Sequence, residues 1–351
     1  MTPEKEKALS EHISAIAKIL YEDTSPSQLT SLENIETVVR EKLITHVSPQ
    51  VGFFFIKEVT ETVAGRLRTL KSCLGNLPIT DKQASILNVK PSTQISPYLE
   101  KCCLVISANV SYKNAEKDLK TLTGMYVPAK TQQRLVHRHQ FELQTVKGSV
   151  EELSVDGGKI RLITPKGEKC IWRDYKGIRL HEQVTQAFFQ ENEKLVNWTN
   201  SQPLNNPLTC LGDGHDGVWN VISQISTSSQ RREILDWFHL KENIYKIGGS
   251  NKRLKKVESL LWKGKVAKTL ELLAGLEKAS NFCKYLIKHK SRIVNYKEYS
   301  EKKICSIGSG AVESAVKQID RRTKISGAQW KKENVPQVLA HRCAYLNDQI
   351  V

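Results

Sequence analysis

The sequence predicts an α/β protein whose sheet is preceded by a helical region. In the first third of the chain, apolar residues recur at helical spacing, as they do at Leu9, Ile13, Ile16 and Leu20. After Glu151 the pattern changes to short apolar runs that alternate with helical segments. Strands that alternate with helices indicate a sheet covered by helices, which is the α/β class.

The first 96 residues are predicted to be an all-α region that ends in a linker. The Leu9 helix comes first. The apolar positions of the next two helices are Leu32, Ile35, Val39 and Leu43 behind a capping Ser31, then Phe53, Ile56, Val59 and Val63 after Pro49. Residues 74–97 combine prolines, a glycine and polar side chains, so we expect a linker there.

Residues 97–145 are predicted to contain a helical hairpin. One helix runs from about Ser111 to Leu122, a turn with Gly124 follows, and Pro128 opens the second helix. The second helix carries the candidate DNA-binding side chains Lys130, Gln133, Arg134 and Arg138. This pattern fits a helix-turn-helix reader of the major groove, and it fits a plain structural hairpin equally well.

The rest of the chain is predicted to form the sheet and its helices. Strands are expected around 153–164, with Gly157-Gly158 as a turn or bulge between two strands, and at 170–178, 208–213 and 231–236. Helices are expected at 191–198, 218–225 and 309–322, and residues 239–299 are helical and basic throughout.

The charge balance points to a polyanionic partner. Lys and Arg number 53 against 37 Asp and Glu, which gives a net charge of +16. Such a surplus draws nucleic acid through its phosphates, and an inert basic surface is the alternative. No apolar stretch reaches the roughly 18 residues of a spanning helix, and no secretory signal is visible, so we expect a cytoplasmic protein without membrane contact. None of the eight cysteines forms a C-x-x-C pair, so a zinc finger is not supported.

Three carboxylates form the candidate catalytic site. Asp156 and Asp213 each end a predicted strand beside glycine, and Glu313 lies one turn into a helix that Gly308-Ser309-Gly310 opens. Strand ends and helix starts are where ligands bind in α/β sheets. Three converging carboxylates repel one another unless hard cations neutralise them, so we expect two Mg²⁺ ions, with Mn²⁺ as a possible substitute.

Each of these residues also has a purely structural explanation. Asp156 fits a turn former, Asp213 an Asx turn, its neighbour Asp216 a helix cap, and Glu313 a solvated helix residue. Asp236 is expected to cap a helix that brings His239 near the acidic cluster, or near a core position.

A basic row follows Glu313 along its helix. Lys317, Arg321 and Lys324 recur at spacings of four, four and three from Glu313. We assign them as candidate DNA-binding residues beside the metal site. A row of solvated ion pairs has the same spacing.

At these residues the sequence resembles insertion-sequence transposases of the DDE type, closest to the ISKra type, and is similar at a greater distance to bacterial relatives of the Mutator transposases. The resemblance covers roughly residues 97–347. It rests on Ser-Val-Asp156-Gly-Gly, Leu-Gly-Asp213-Gly-His-Asp-Gly-Val-Trp219, Leu-Asp236-Trp-Phe-His239-Leu, Ile-Gly-Ser-Gly-Ala-Val-Glu313-Ser, the 111–138 hairpin and the tail around Gly327 and Trp330.

The resemblance implies a ribonuclease H-like mixed-sheet core, residues 146–240 and 304–351, with a basic helical insertion at 241–303. It implies that Asp156, Asp213 and Glu313 bind the metal ions and that Asp236 and His239 form a D-x-x-H element. The implied activity is cleavage of transposon ends in bacterial DNA, followed by strand transfer into target DNA by a homo-oligomer.

The chain departs from this family where relatives carry a cysteine pair ahead of the hairpin. Two other functions fit the same residues: a metal-dependent nuclease without strand transfer, and an inactive DNA-binding relative.

Overall fold

The structure, a computed structural model, describes residues 1–180 and 183–350. The chain divides into two compact units, residues 1–135 and residues 136 to the end. The four-part organisation predicted from the sequence is finer than this division and stays a prediction.

The first unit is mostly helical. Its helices are α1 (Pro3–Glu22), α2 (Leu32–Lys42), α3 (Ser48–Thr60), α4 (Asp81–Ile86), α5 (Pro97–Ser107), α6 (Tyr112–Thr123) and α7 (Ala129–Arg138), the last of which ends beyond residue 135. The three predicted N-terminal helices are confirmed, and the side chain of Ser31 caps α2 by accepting the amide of Asn34 at 3.2 Å.

One prediction for this unit is wrong: the region is not all-α and residues 74–97 are not a linker. An antiparallel hairpin joins β1 (Leu67–Ser72) to β2 (Gly75–Thr80), and α4 follows it. Its core contains Leu70, Ile79 and Ala84. Gly75 at φ +100° makes the tight connection that the composition alone did not reveal.

The helical hairpin of α6 and α7 is confirmed. The Ser111 side chain caps α6, and Gly124 ends it at φ +73°. Glu116 on α6 accepts the backbone amide of Ala129 at 2.6 Å, which fixes the start of α7. Leu119 and Val127 are buried in the core beneath the hairpin.

The second unit contains the predicted sheet and its helices. Its strands are β3 (Val150–Leu162), β4 (Ile171–Leu180), β5 (Val184–Phe189), β6 (Leu204–Gly212) and β7 (Arg231–Leu235). Its helices are α8 (Asn192–Asn200), α9 (Asp216–Ile222), α10 (Trp237–Lys246), α11 (Asn251–Trp262), α12 (Val266–Leu273), α13 (Ser280–Lys288), α14 (Tyr296–Glu301), α15 (Gly310–Thr323) and α16 (Val335–Leu346).

The five strands form one mixed sheet in the order β5-β4-β3-β6-β7. β3 pairs antiparallel with β4, and β4 pairs antiparallel with β5. β6 pairs parallel with β3 on one side and with β7 on the other. The predicted α/β class is therefore confirmed.

The prediction of two strands separated by a Gly-Gly turn is wrong. β3 runs without interruption through Gly157 and Gly158, which pair with Lys176 and Tyr175 of β4. A side chain on Gly158 would meet the Tyr175 ring, at 2.5 Å from Cε1. Gly158 therefore makes room for that ring rather than for a turn.

Helices cover both faces of the sheet. On one face Leu153 and Val155 join a large core that includes residues of α8, α9 and α10 and of the insertion helices. On the other face Ile160 and Leu162 pack with residues of α15 and α16. Among the described residues, no helix is both long enough and apolar enough to cross a membrane.

Candidate functional site

Three aspartates lie at one register of three neighbouring strands: Asp156 is inside β3, Asp213 directly follows β6 and Asp236 directly follows β7. Val155 of β3 pairs with Gly212 of β6, and Gly212 pairs with Leu235 of β7. The next residues along the chain are Asp156, Asp213 and Asp236. The amide of Asp236 still donates to the Gly212 carbonyl at 2.9 Å. Because parallel strands lie about 4.8 Å apart, this register gathers three carboxylates in one row.

Asp156 faces the side of the sheet that α15 covers. Side chains alternate along a strand, so Asp156 shares the face of Ile160 and Leu162, which pack against α15. Burial raises the pKa of Asp156. A hydrogen bond from the Gly157 amide, at 2.6 Å, opposes that rise, whereas the charges of Asp213 and Glu313 add to it.

Asp236 is fully buried and tightly held. Its carboxylate caps α10 by accepting the His239 amide at 2.8 Å, and it also accepts the amide and, at 2.7 Å, the hydroxyl of Ser309. Burial opposes ionisation, but the interactions with His239 and Ser309 outweigh it and hold the pKa of Asp236 below its usual range. The helix-capping role predicted for Asp236 is thus confirmed.

Gly308 allows α15 to start so close to Asp236. A Cβ atom there would lie 2.6 Å from the Phe238 ring and 3.4 Å from Oδ2 of Asp236. Any side chain at this position would push the Ser309 backbone away from the carboxylate. Glycine is therefore needed at position 308 because other atoms approach it closely, not because the backbone has an unusual φ there.

Asp236, His239 and Glu313 form the tightest group. Nδ1 of His239 lies 3.3 Å from Oδ1 of Asp236 and 3.6 Å from Oε1 of Glu313. One ligand atom from each residue falls within 4.8 Å of the others. The contact with Asp236, helped by the charges of Glu313 and Asp213, raises the pKa of His239 to about 9 despite burial.

Asp213 follows β6, between the strands that carry Asp156 and Asp236, and is half-buried. Its Oδ1 accepts the His215 amide at 2.9 Å, and its carbonyl accepts the indole N–H of Trp219 at 2.6 Å. The Asx turn weighed for Asp213 is present. The cap weighed for Asp216 is wrong, because His215 caps α9 and Asp216 lies inside the helix, paired with Lys288.

The structure thus brings the sequence-predicted residues together to different degrees. Asp236, His239 and Glu313 are in mutual contact. Asp156 and Asp213 are near enough for their charges to act on the others. That Asp156, Asp213 and Glu313 share metal ions stays a prediction.

The donor set fits a hard divalent cation. Four carboxylates gather around one register of the sheet. Burial is the main cause of the raised pKa of Asp156, and the charges of Asp213 and Glu313 add to it; a cation would oppose both effects. Asp156, Asp213 and Glu313 offer the oxygen ligands that Mg²⁺ and Mn²⁺ prefer. His239 carries the compensating positive charge.

The basic residues of α15 differ in their surroundings. Nζ of Lys317 lies 3.7 Å from Oε2 of Glu313, so this lysine is adjacent to the acidic group. Arg321 is exposed one turn further. Lys324 pairs with Asp320 at 2.6 Å, as a solvated i,i+4 pair does.

On α7 the candidate DNA-binding residues lie mainly on the surface. Lys130, Arg134 and Arg138 are exposed and Gln133 is half-buried. The adjacent Gln132 is fully buried and donates to the Val127 carbonyl at 3.0 Å. The helix therefore presents a basic face to solvent while its neighbours hold the hairpin together.

Sequence reasoning missed Ser309 and Tyr285. Ser309 was read as part of a helix entry, although its hydroxyl bridges Asp236 and Glu313 at 2.7 and 3.3 Å. Tyr285 of α13 packs directly on Gly214, and burial raises its pKa to about 12, with contributions from Asp213 and Asp236. The Gly-Ser-Gly sequence around Ser309 is a signal that could have identified this residue, whereas no local pattern marks Tyr285.

The insertion that supplies Tyr285 is the most basic part of the chain. Residues 241–303 hold 17 Lys and Arg against 6 Asp and Glu, a net charge of +11. Beside the acidic group, a cleft of about 590 Å³ runs between β3 and the start of α15, lined in part by Ser154, Phe238 and Ala311. Comparison with protein-family models and with curated proteins finds no match for this sequence.

Proposed function

We propose that this protein is a DNA transposase of the DDE type, with a ribonuclease H-like core that cleaves transposon ends and joins them to target DNA. The observation that carries the proposal is the acidic row formed by Asp156 inside β3 and by the aspartates that follow β6 and β7, with Glu313 and His239 beside it. The mixed sheet, interrupted by a helical insertion before α15, is compatible with the core that the resemblance implies.

The charge distribution supports DNA as the substrate. The acidic group stands next to an insertion of net charge +11, in a chain of net charge +16. Phosphodiester backbones bind such surfaces through counterion release. The acidic group itself repels phosphate, so substrate binding at this point requires cations between the carboxylates and the DNA.

We assign different roles in this reaction to the residues of the acidic group and its neighbours. Asp156, Asp213 and Glu313 would hold two divalent cations, which activate the attacking oxygen and stabilise the leaving oxygen. Asp236 and Ser309 hold Glu313 and His239 in place. His239 lies within reach of the same carboxylates and would bind or protonate a phosphate oxygen beside them.

A cleavage and joining assay tests the proposal. The full-length protein is incubated with Mg²⁺ or Mn²⁺ and with DNA that flanks its own coding region, and strand transfer is followed with a pre-cut end that carries a free 3′-hydroxyl. Glu313→Gln should lower both rates by at least about 10³-fold because a metal ligand is lost. The matched control Glu301→Gln removes an exposed carboxylate, 3.7 Å from Lys297, and should keep the wild-type rates.

The outcomes separate the three functions. Cleavage without joining would replace the transposase with a nuclease. Metal-independent DNA binding with no cleavage, unchanged in Glu313→Gln, would leave a DNA-binding relative and overturn the enzyme proposal.

The basic face of α7 has its own test. Lys130→Ala with Arg134→Ala should weaken binding to all DNA sequences and reduce the slope of log K against log salt by about 2, if both residues contact phosphates. The exposed pair Lys5→Ala with Lys7→Ala on α1 is the matched control and should leave the slope unchanged.

A further inference from the structure

Lys176 of β4 lies against two glycines beside the acidic group. A Cβ atom on Gly157 would lie 3.0 Å from Nζ of Lys176 and 3.3 Å from its Cδ, so this side chain crosses β3 one residue beyond Asp156. A Cβ atom on Gly217, in the first turn of α9, would lie 3.4 Å from the same Nζ. The ammonium group is therefore placed between the chain segments that follow Asp156 and Asp213.

This ammonium group lies on the face of the sheet that α9 covers. Gly157 pairs with Lys176, and side chains alternate between the two faces along a strand. Because Asp156 faces α15, the next residue, Gly157, faces the opposite side. Lys176 thus adds a cation on one side of the acidic group, whereas Lys317 of α15 lies on the other side.

The Lys176 ammonium group has no hydrogen bond and no ion pair with any residue of 1–180 or 183–350, although the side chain is half-buried. A cation that loses part of its hydration without gaining a partner is unfavourable. Asp216, which precedes Gly217 in the chain, is already paired with Lys288. The ammonium group is therefore available to an anion that arrives from outside the chain.

His215 supplies a second donor at the same point. The Cβ atom that would lie 3.4 Å from Nζ of Lys176 would also lie 3.1 Å from Nδ1 of His215. Nδ1 accepts the Gly217 amide at 3.0 Å, and a neutral imidazole that accepts at Nδ1 carries its hydrogen on Nε2. His215 is exposed, so this Nε2–H donor is open to solvent.

The space between the two donors explains the glycine at position 217. Its φ is not positive, so the backbone itself would accept other residues. A side chain there would crowd both Nζ of Lys176 and the His215 ring. Glycine keeps open the one point that both donors border, and a single small anion placed there can accept from both.

The chemistry and the position of this pair favour a phosphate of DNA as the anion. Hydrogen bonds from an ammonium group to phosphate oxygens are charge-assisted and stronger than neutral ones. A DNA strand carries a phosphate at every nucleotide. A strand whose cleaved phosphate lies on the acidic group therefore brings a neighbouring phosphate to the edge of that group.

We propose that Lys176 and His215 bind the DNA phosphate next to the one that is cleaved, and so position the cleaved phosphate over Asp156 and Asp213. The assignment rests on the proposed function. Both side chains are positioning residues, which fix the strand without touching the reacting atoms. Because Asp156 and Asp213 repel the same phosphate, this contact forms only when divalent cations neutralise them.

Binding of chemically modified DNA tests this contact. The cleavage site is first mapped with Mg²⁺. The full-length protein is then titrated, with Ca²⁺ in place of Mg²⁺, with duplexes that end at that site and carry one neutral methylphosphonate at successive phosphates. One methylphosphonate next to the cleaved phosphate should weaken wild-type binding by about 10-fold.

Lys176→Met removes the ammonium group and keeps an apolar stem over Gly157. It should bind unmodified DNA about 10-fold more weakly, and the same methylphosphonate should then cause no further loss, because the two changes remove one contact. Its resistance to urea should equal or exceed that of the wild type, since the ammonium group has no partner within the chain to lose.

Three further variants separate this contact from a structural effect. Lys176→Arg keeps the charge and should keep the sensitivity to the methylphosphonate. His215→Asn keeps an acceptor for the Gly217 amide and removes the Nε2–H donor, so it should weaken binding of the unmodified duplex. Lys194→Met removes an exposed lysine of α8, paired with Glu191 at 2.5 Å, and should bind as the wild type does.

The contact and the proposed function fail in different ways. If the wild type cleaves DNA but no methylphosphonate position weakens its binding, or if the loss is equal in Lys176→Met, the contact is overturned and the transposase proposal stands. Equal weakening by Lys194→Met also overturns the contact. A wild-type protein that cleaves no DNA with any divalent cation overturns the proposed function and this contact together.

Discussion

Asp213 and Asp236 follow the neighbouring strands β6 and β7 at the same register, but their surroundings differ. Asp236 is fully buried and accepts hydrogen bonds from Ser309 and from the His239 amide. Asp213 is half-buried and accepts the amide of His215. The comparison teaches that one strand-end position can support the fold while its neighbour is open to a ligand.

The largest predicted effect is the loss of DNA cleavage when Asp213, the less buried of the two aspartates, is replaced. Asp213→Asn should lower metal-dependent DNA cleavage by at least about 10³-fold, because the amide is a poor ligand for a hard cation. The free energy of unfolding should change by less than about 0.5 kcal/mol, since the amide oxygen still accepts the His215 amide. Cleavage rates and urea denaturation measure the two quantities.

Asp216→Asn is the control for that comparison. It removes an exposed carboxylate three residues away, paired with Lys288 outside the acidic group. Equal loss of cleavage in both variants would contradict the assignment of Asp213.

Replacement of the buried Asp236 should instead lower the stability of the fold. Asp236→Asn should lower the free energy of unfolding by about 2–3 kcal/mol, because it weakens a helix cap and charged hydrogen bonds to Ser309 in a buried position. Urea denaturation of the metal-free protein measures the loss.

Asp156→Asn makes the same change inside β3, at the same register, and sharpens the contrast. Burial and the charges of Asp213 and Glu313 raise the pKa of Asp156, so its ionised form weakens the fold above that pKa. Removing the charge should leave stability at neutral pH unchanged or higher. Equal destabilisation by the two variants would contradict the distinction between the sites.

His239 should make the metal-free fold pH-dependent. Its pKa is raised from 6.5 to about 9, so its stabilising contribution is fully present below pH 6.5 and is lost as the pH rises through about 9. The side chain is 34 % exposed, so after allowance for solvent screening we expect about 1–2 kcal/mol.

Urea denaturation at pH 6 and pH 9.5, with a chelator present, measures this dependence. His239→Gln should flatten the curve across that window. An unchanged difference between the two pH values in the variant would assign the pH dependence to other groups.

The smallest effect concerns the start of α15. Gly308→Ala should destabilise the protein by about 1 kcal/mol, because the new Cβ meets the Phe238 ring and displaces Ser309 from Asp236. Gly310→Ala is the matched control: a Cβ there has no atom within 4 Å and lies at the first position of a helix. Thermal unfolding of both variants decides the matter, and equal shifts would exclude a role for close approach.

Local pattern was enough to predict much of the sheet and the acidic residues. An apolar run that ends beside glycine correctly placed Asp213 at the end of a strand. The same pattern found Asp156 but wrongly placed it at a strand end, because β3 continues through the glycines that follow. The hairpin β1–β2 was not predicted because its strands are short and polar on one side. The uninterrupted course of β3 depends on pairing with β4, and the glycine at 158 is needed because the Tyr175 ring of that strand lies against it.

The closest contacts of the site could not be predicted from local sequence patterns, because they join residues that are far apart in the sequence. Ser309 meets Asp236 across 73 residues of sequence, and Tyr285 meets Gly214 across the insertion. Such encounters depend on how distant segments return to the sheet edge. The sequence analysis thus predicted the residues Asp236, His239 and Glu313 but not the contacts that join them.

The helical insertion leaves and rejoins the sheet at one point. The amide of Trp237 donates to the carbonyl of Ile307 at 2.9 Å, so the entrance and exit of a segment of about 70 residues are clamped together. The helices within the segment pack back into the core on one face of the sheet, and the clamp holds both ends of the segment beside Asp236. The clamp therefore lets the chain carry a long helical segment between β7 and α15 while Asp236 and Glu313 stay joined through Ser309.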